Sequence, residues 1–146
     1  MPHSAKSKVC LIRCPIIPMP FPPDLGLGYI CAVLKEAGCE VKVWDLNWDC
    51  YLLADDPLKE HWLRVDLDLH GVGMNICGRF QENIARQLAG LVGEGFSVFG
   101  FSVWATNQGA SLHLARAIKS LRPGSSVIFG GPECMPLRSG ERLAAA

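Results

Sequence analysis

Val127-Ile128-Phe129-Gly130-Gly131-Pro132-Glu133-Cys134 is an apolar run that stops at a Gly-Gly-Pro turn. Bulky residues, β-branched or aromatic, ending on two glycines read as a buried strand whose tip leaves room for something close to the backbone. In open α/β sheets, ligands sit at such tips. The fold then depends on whether the chain supplies further strands that end in the same way.

Moving back from that stretch, a helix over about Gln108 to Leu121 carries Leu114, Ile118 and Leu121 on one side and ends before Pro123. Ser97-Val98-Phe99-Gly100-Phe101 precedes it, near-continuously apolar and so a central strand, with Ser102 to Asn107 as its tip. Phe80, Ile84, Leu88, Leu91 and Val92 mark another amphipathic helix, closed by Gly93 or Gly95. Near the start, Lys8-Val9-Cys10-Leu11-Ile12-Arg13 has strand length, and Glu40-Val41-Lys42-Val43-Trp44 alternates as a strand near a sheet edge does. Between these two lie a proline-rich loop, Cys14 to Pro23, and a helix opened by Asp24-Leu25-Gly26-Leu27-Gly28-Tyr29. That helix sets Leu27, Ile30, Cys31 and Leu34 at helical spacing and closes at Ala37-Gly38. Gly26 and Gly28 weaken it by up to about 1 kcal/mol each relative to Ala, which points to close approach of a ligand or of the sheet.

From Trp48 to Cys77 the pattern is weak. Asp56-Pro57 reads as an N-cap and first-turn proline, starting a short helix through Trp62 or Leu63. Val65 to Cys77, with Gly71 and Gly73, reads as a loop over the sheet tips, and Arg138 to Ala146 as the start of a further helix. The succession predicts a flavodoxin-like, doubly wound parallel sheet of order 2-1-3-4, its switch point between the first and third strands. Residues 1–7 form a flexible leader and 8–146 one domain. The fifth strand of that order is missing, which leaves the fourth as an apolar edge, so the expectation is the front part of a longer protein.

Lys+Arg 14 balances Asp+Glu 14, and no basic stripe is present, which argues against a nucleic-acid partner. The chain is 49% hydrophobic but has no apolar run of membrane-spanning length, and its polar start lacks a signal-peptide core. It reads as cytoplasmic, with no membrane partner. Seven cysteines without a CxxC pair argue against a disulfide framework. Most read as small buried hydrophobes; Cys14 and Cys134 stand at strand tips, where ligand contact is the alternative.

The tips gather Cys14 and Pro15, Asp45 and Asn47, Ser102 to Asn107, and Gly130 to Glu133 on one face of the sheet. Small residues with hydroxyl and amide groups suit a large, mostly neutral ligand. A triphosphate is not suited: no G-x-x-x-x-G-K-[ST] occurs, and Cys31 stands where a dinucleotide fingerprint needs its third glycine.

At these residues the chain resembles the cobalamin-binding domain at the N-terminus of many radical S-adenosylmethionine enzymes. The resemblance is carried by Pro22 to Tyr29 with the helix ending Leu34-Lys35-Glu36-Ala37-Gly38, by Val43-Trp44-Asp45-Leu46-Asn47, by Gly100-Phe101-Ser102 and by Phe129-Gly130-Gly131-Pro132-Glu133. It implies a corrin ring across the strand tips and a nucleotide tail in a groove beside the first and third strands. Carried over by position, Ser102, Gly130 and Gly131 line the tail groove, with Pro132 and Glu133 continuing that edge. Pro23, Leu25, Gly26, Gly28, Asp45, Asn47, Thr106 and Asn107 meet corrin amides.

Two departures qualify what the resemblance implies. The D-x-H-x-x-G of methionine-synthase-type domains is absent, so no protein imidazole is expected on cobalt. No C-x-x-x-C-x-x-C triad for an iron–sulfur cluster occurs either, so S-adenosylmethionine and the cluster belong to a catalytic domain in cis or in trans, and this chain alone carries a cofactor without catalysing. Other readings stay open. The Gly-Gly-Pro segment also reads as a plain turn, Asp45 as a helix cap or ribose-binding carboxylate, and Ser102 as a cap. The whole chain also reads as a regulatory domain without cofactor, or as a flavin- or nucleotide-binding protein on the same fold.

Overall fold

The computed structural model describes residues 7–16, 24–63 and 69–135. Four strands, β1 (Lys8–Arg13), β2 (Glu40–Asp45), β3 (Val98–Ser102) and β4 (Ser126–Gly130), form one sheet in the order β2-β1-β3-β4, every pairing parallel. The strand order reverses between β1 and β3, so a crevice opens at their C-terminal ends. This is the flavodoxin-like arrangement that the apolar runs predict.

Among the described residues six helices fill the connections: α1 (Leu25–Glu36), α2 (Leu46–Leu53), α3 (Asp56–Lys59), α4 (Leu69–Arg79), α5 (Gln81–Gly93) and α6 (Gln108–Leu121). A 3₁₀ turn, Glu60–Leu63, follows α3, and a second, Pro132–Cys134, follows β4. Strand alternation sorts the core into two layers. Cys10, Ile12, Phe99 and Phe101 point to one face, where they pack with Leu46, Leu58, Trp62, Ile76, Ile84, Leu88, Leu114 and Ile118 from α2 to α6. Val9 and Leu11 point to the other, where Leu27, Cys31 and Leu34 of α1 cover them beside Val41 and Val98. Among the described residues, α1 is the only helix on that second face.

Several expectations change. Leu69–Arg79 is a helix where a loop over the tips is expected, its packing on α6 and the core overriding the low propensity of a stretch with three glycines. Asp45 caps a helix, α2, that the sequence pattern does not announce. The cap of α3 is Asp55, which accepts from Leu58 N at 3.1 Å; Asp56 and Pro57 are already in the first turn. Ile30 and Leu121, expected inward, are exposed, and β4 is a half-buried edge with Ile128 57% exposed. Leu121 ends its helix, and Ile128 lies on the α1 face, in the half that no described helix covers. The leader's first six residues, most of the proline loop and Arg138 to Ala146 lie outside the described residues.

Candidate functional site

The crevice is built by three devices at the C-terminal ends of the strands. The first is Asn107. Fully buried, it accepts from Trp104 N through Oδ1 at 2.8 Å and donates from Nδ2 to the carbonyls of Ser102, at 3.1 Å, and Cys14, at 3.4 Å. One amide thus ties the ends of β1 and β3 together and closes the turn between them. A buried amide with all these bonds made has no donor to offer a ligand. Asn107 braces the site in place of the corrin contact expected of it.

The second device covers β1 and β2. Asn47 is also fully buried, its Oδ1 accepting from Ile16 N and from Trp62 Nε1, both at 2.9 Å. Asp45 accepts from Trp48 N at 3.0 Å as the N-cap of α2, and from Arg13 Nη1 at 3.1 Å. The Arg13 side chain is only 4% exposed, so this carboxylate balances a nearly buried guanidinium. The helix-cap reading of Asp45 is the one its bonds carry.

The third device locks the tip of β4 to β3. Val103 N donates to Gly130 O at 2.7 Å, and Glu133 N donates to Val103 O at 3.4 Å. These bonds press Gly131 against Val103 with φ 108° and ψ −179°, a backbone region that only glycine adopts freely. A Cβ there would stand 2.6 Å from Val103 O. The two glycines therefore differ. Gly131 makes room for the chain's own backbone, whereas the nearest heavy atom to a Cβ on Gly130 is Phe101 O, at 3.9 Å.

Gly130 shares its face with Gly100, Ser102 and Ile128, because Gly100 pairs with Ile128 and Ser102 with Gly130. That is the α1 side, and α1 covers β1 and β2 but leaves the β3–β4 half open among the described residues. The outcome is a strip floored by Gly130 and the buried Ser102 and bounded at its upper end by the start of α1; the space beside Gly100 is filled by Leu11, whose Cδ2 lies 3.0 Å from where a Cβ would stand. There Asp24, the N-cap, accepts from Leu27 N at 3.2 Å and from Ser102 Oγ at 2.6 Å, anchoring the helix at the tip of β3. Leu25, Gly26 and Gly28 in the first turn are exposed beside it. Pro132 is half-buried and Glu133 buried in the turn after β4, and Thr106 is half-buried with its hydroxyl oxygen enclosed. Pro23 lies outside the described residues. The structure thus brings Ser102, Gly130 and the first turn of α1 together, and assigns Asn47, Asn107 and Asp45 to holding the strand ends.

Sequence reasoning placed Asp24 within the expected contact stretch but not as the partner of Ser102, and did not single out Gly100, whose missing side chain makes room for Leu11 Cδ2, 3.0 Å from where a Cβ would stand. Gly100 interrupts the apolar strand Val98 to Phe101, and an isolated glycine inside a strand is the signal that marks close approach. A second depression, about 300 Å³, lies between α5 and α6 on the opposite face of the sheet. It is lined by Leu46, Ile84, Leu88 and Leu114 and gathers no strand-tip groups.

No cysteine serves as a nucleophile in the sheet core. Burial pushes the Cys10 and Cys77 thiols up to about 12 and raises those of Cys14 and Cys50 as well, so all four remain protonated at neutral pH. Cys14 is buried in the core beneath Asn107, and Cys134 is half-buried after β4, its thiol raised by burial and then by Glu133. Among the described residues no group of three or more His, Cys, Asp or Glu side chains is arranged to hold a metal ion. No helix of the described residues is long and apolar enough to cross a membrane.

Fold and crevice define a flavodoxin-like α/β protein with an open strip beside its switch point. Compared with protein-family models, with curated proteins and with solved structures, the chain matches none.

Proposed function

We propose that this chain is a cobalamin-binding module of a radical S-adenosylmethionine enzyme, most simply a methyltransferase. The observation that carries the reading is the strip over Ser102 and Gly130 on the α1 side, which no described helix covers and which runs up to the β1/β3 switch point. A long nucleotide tail, charged only at its one phosphodiester, needs such a floor: side chains reduced to hydrogen or a hydroxyl, with a wall on one side and an opening at the strand tips. Among the described residues, a Cβ on Gly130 would make only an ordinary contact, with Phe101 O at 3.9 Å, which leaves room above it for a ligand.

Ser102, Gly130 and the first turn of α1 would hold the tail, and the strand-tip rim with Leu25, Gly26 and Thr106 would face the ring. Cobalamin supplies a cobalt centre able to carry a methyl group between donor and substrate. The protein's part is to bind and orient the ring, to exclude water from its lower side and to offer no imidazole there; residues 14 to 24 contain no histidine. S-adenosylmethionine and an iron–sulfur cluster would be held by a catalytic domain in cis or in trans.

The test is to mix the purified chain with hydroxocobalamin, desalt it and record the visible spectrum. Near-stoichiometric retention, with a spectrum lacking an imidazole ligand from the protein, is expected. Gly130→Val should keep the fold and lose the colour, because valine would fill the strip. A folded wild-type chain that loses all cobalamin on desalting would overturn the reading in favour of a regulatory domain without cofactor.

A further inference from the structure

The two edges of the sheet are built differently. β2 carries Glu40, Lys42 and Asp45, with Glu40 paired to Lys8 at 3.1 Å and Lys42 to Glu94 at 3.6 Å. Charges of this kind keep an edge strand from pairing with another chain. β4, Ser126-Val127-Ile128-Phe129-Gly130, has neither charge nor proline, and Ile128 stands exposed in its middle. Among the described residues only β3 pairs with it.

The bonds that β4 already makes show which of its peptide groups are left. Ser126 N donates to Ser97 O at 2.8 Å and Gly130 O accepts from Val103 N at 2.7 Å, so residues 126, 128 and 130 turn their peptide groups towards β3. By alternation, Val127 and Phe129 turn theirs outward. Residues 136–146 do not suit this edge as a partner. A parallel neighbour needs a crossover of about a dozen residues or more before its own strand begins, and Arg138-Ser139-Gly140-Glu141-Arg142-Leu143-Ala144-Ala145-Ala146 is poor in strand formers.

We propose that a second copy of this chain covers the edge, β4 pairing antiparallel with its twin about a twofold axis through Ile128. An antiparallel ladder alternates hydrogen-bonded and non-hydrogen-bonded pairs. In this register Val127 lies opposite the partner's Phe129, and these outward-facing residues form the hydrogen-bonded pairs on either side of the axis. Ile128 meets the partner's Ile128 at a non-hydrogen-bonded position, where Cα atoms stand about 4.5 Å apart and side chains are closest. Ser126 lies opposite the partner's Gly130, both small. The axis is perpendicular to the sheet, so the two crevices open at opposite ends of one continuous sheet. The strand tips stay free, and the pairing does not depend on what the crevice binds.

The test is sedimentation of the whole 146-residue chain over a range of micromolar concentrations. A reversible dimer is expected, with a dissociation constant raised about tenfold or more by Ile128→Lys, which removes the apolar contact and sets like charges directly opposite. On mild oxidation Ile128→Cys should form a reducible dimer that the wild type does not, because the axis brings that position onto itself. Val127→Cys, which lies opposite Phe129, should not. A wild-type chain that is monomeric at every concentration overturns the proposal. So does a dimer that Ile128→Lys leaves unchanged, or oxidation that traps both cysteine variants alike; either result places the contact elsewhere, as on the exposed Leu25, Tyr29 and Val33 of α1. Where Ile128→Lys does not fold, trapping of Ile128→Cys without Val127→Cys supports the pairing, and no trapping overturns it.

Discussion

Replacing Gly131 by alanine should destabilise the domain severely, while the same change one residue earlier should not. At Gly131 two costs combine. Its φ of 108° and ψ of −179° lie in a region essentially closed to residues with a Cβ, which costs about 1–3 kcal/mol. The new methyl would also stand 2.6 Å from the oxygen and 2.9 Å from the nitrogen of Val103, both backbone atoms held by the bonds that lock β4 to β3. Relieving that overlap means breaking Val103 N to Gly130 O or shifting the strand end, a strain of the same order as overpacking a core, about 1–3 kcal/mol more. The sum, roughly 2–6 kcal/mol, is a large share of the 5–15 kcal/mol by which domains are stable. Gly130 has ordinary φ, and its added Cβ would meet only Phe101 O at 3.9 Å, so Gly130→Ala should be neutral or stabilising by up to about 1 kcal/mol. Urea unfolding followed by circular dichroism measures both. With an m-value of about 2 kcal/mol/M, Gly131→Ala should lower the midpoint by about 1 M or more, or prevent folding. A loss under about 1 kcal/mol at Gly131, or an equal loss at both positions, would refute the division of labour between the two glycines.

Asn107→Ala should cost about 2–4 kcal/mol, because it leaves Trp104 N and the carbonyls of Ser102 and Cys14 without their shared partner in the interior; thermal melts measure the loss. Asp45→Ala removes both the α2 cap and the carboxylate beside nearly buried Arg13, and should destabilise by about 3 kcal/mol, whereas Asp45→Asn, which can still cap, should recover about 1 kcal/mol of that. The buried thiols make stability fall at alkaline pH. Their folded pKa values are raised, to about 12 for Cys10 and Cys77, above an unfolded value near 8.5, so the folded state holds more protons in that window. Stability should be unaffected by these groups below about pH 8.5 and decline as pH rises towards 12, and Cys10→Ser or Cys77→Ser should flatten the decline in urea midpoints. At neutral pH a thiol reagent should label Cys31, Cys39 and Cys134 first, and Cys10, Cys14, Cys50 and Cys77 only at the rate of unfolding, which mass spectrometry of timed samples resolves.

Much of the fold was legible because strands and helices that face a core declare their period. Val98 to Phe101 and Lys8 to Arg13 are continuous apolar runs of strand length, and both are paired on either side. Glu40 to Trp44 alternates because β2 is an edge. The helix over Leu69–Arg79 was not legible: three glycines lower its local preference, and what holds it is contact with α6, which begins only at Gln108, beyond α5 and β3 in sequence. Nor was α2, whose start depends on an aspartate that reads equally well as a strand-tip ligand contact. The candidate site was legible by position only. Ser102, Asn107, Gly130 and Gly131 were all expected at the tips, and all are there.

What those tip residues do was decided by tertiary structure. Sequence by itself determined the four parallel strands, their order and therefore the crevice between β1 and β3, because hydrophobic period and right-handed crossovers leave few alternatives. It could not tell Gly130 from Gly131, since only the approach of Val103 to within 2.6 Å of one of them separates a glycine needed by the backbone from one that opens a groove. It could not show that Asn107 is spent on three backbone partners, or that Asp24, 78 residues before Ser102, takes its proton. Local pattern fixes which face a residue takes; the partners of a polar group are set by segments distant in sequence, and they meet only when the sheet has closed.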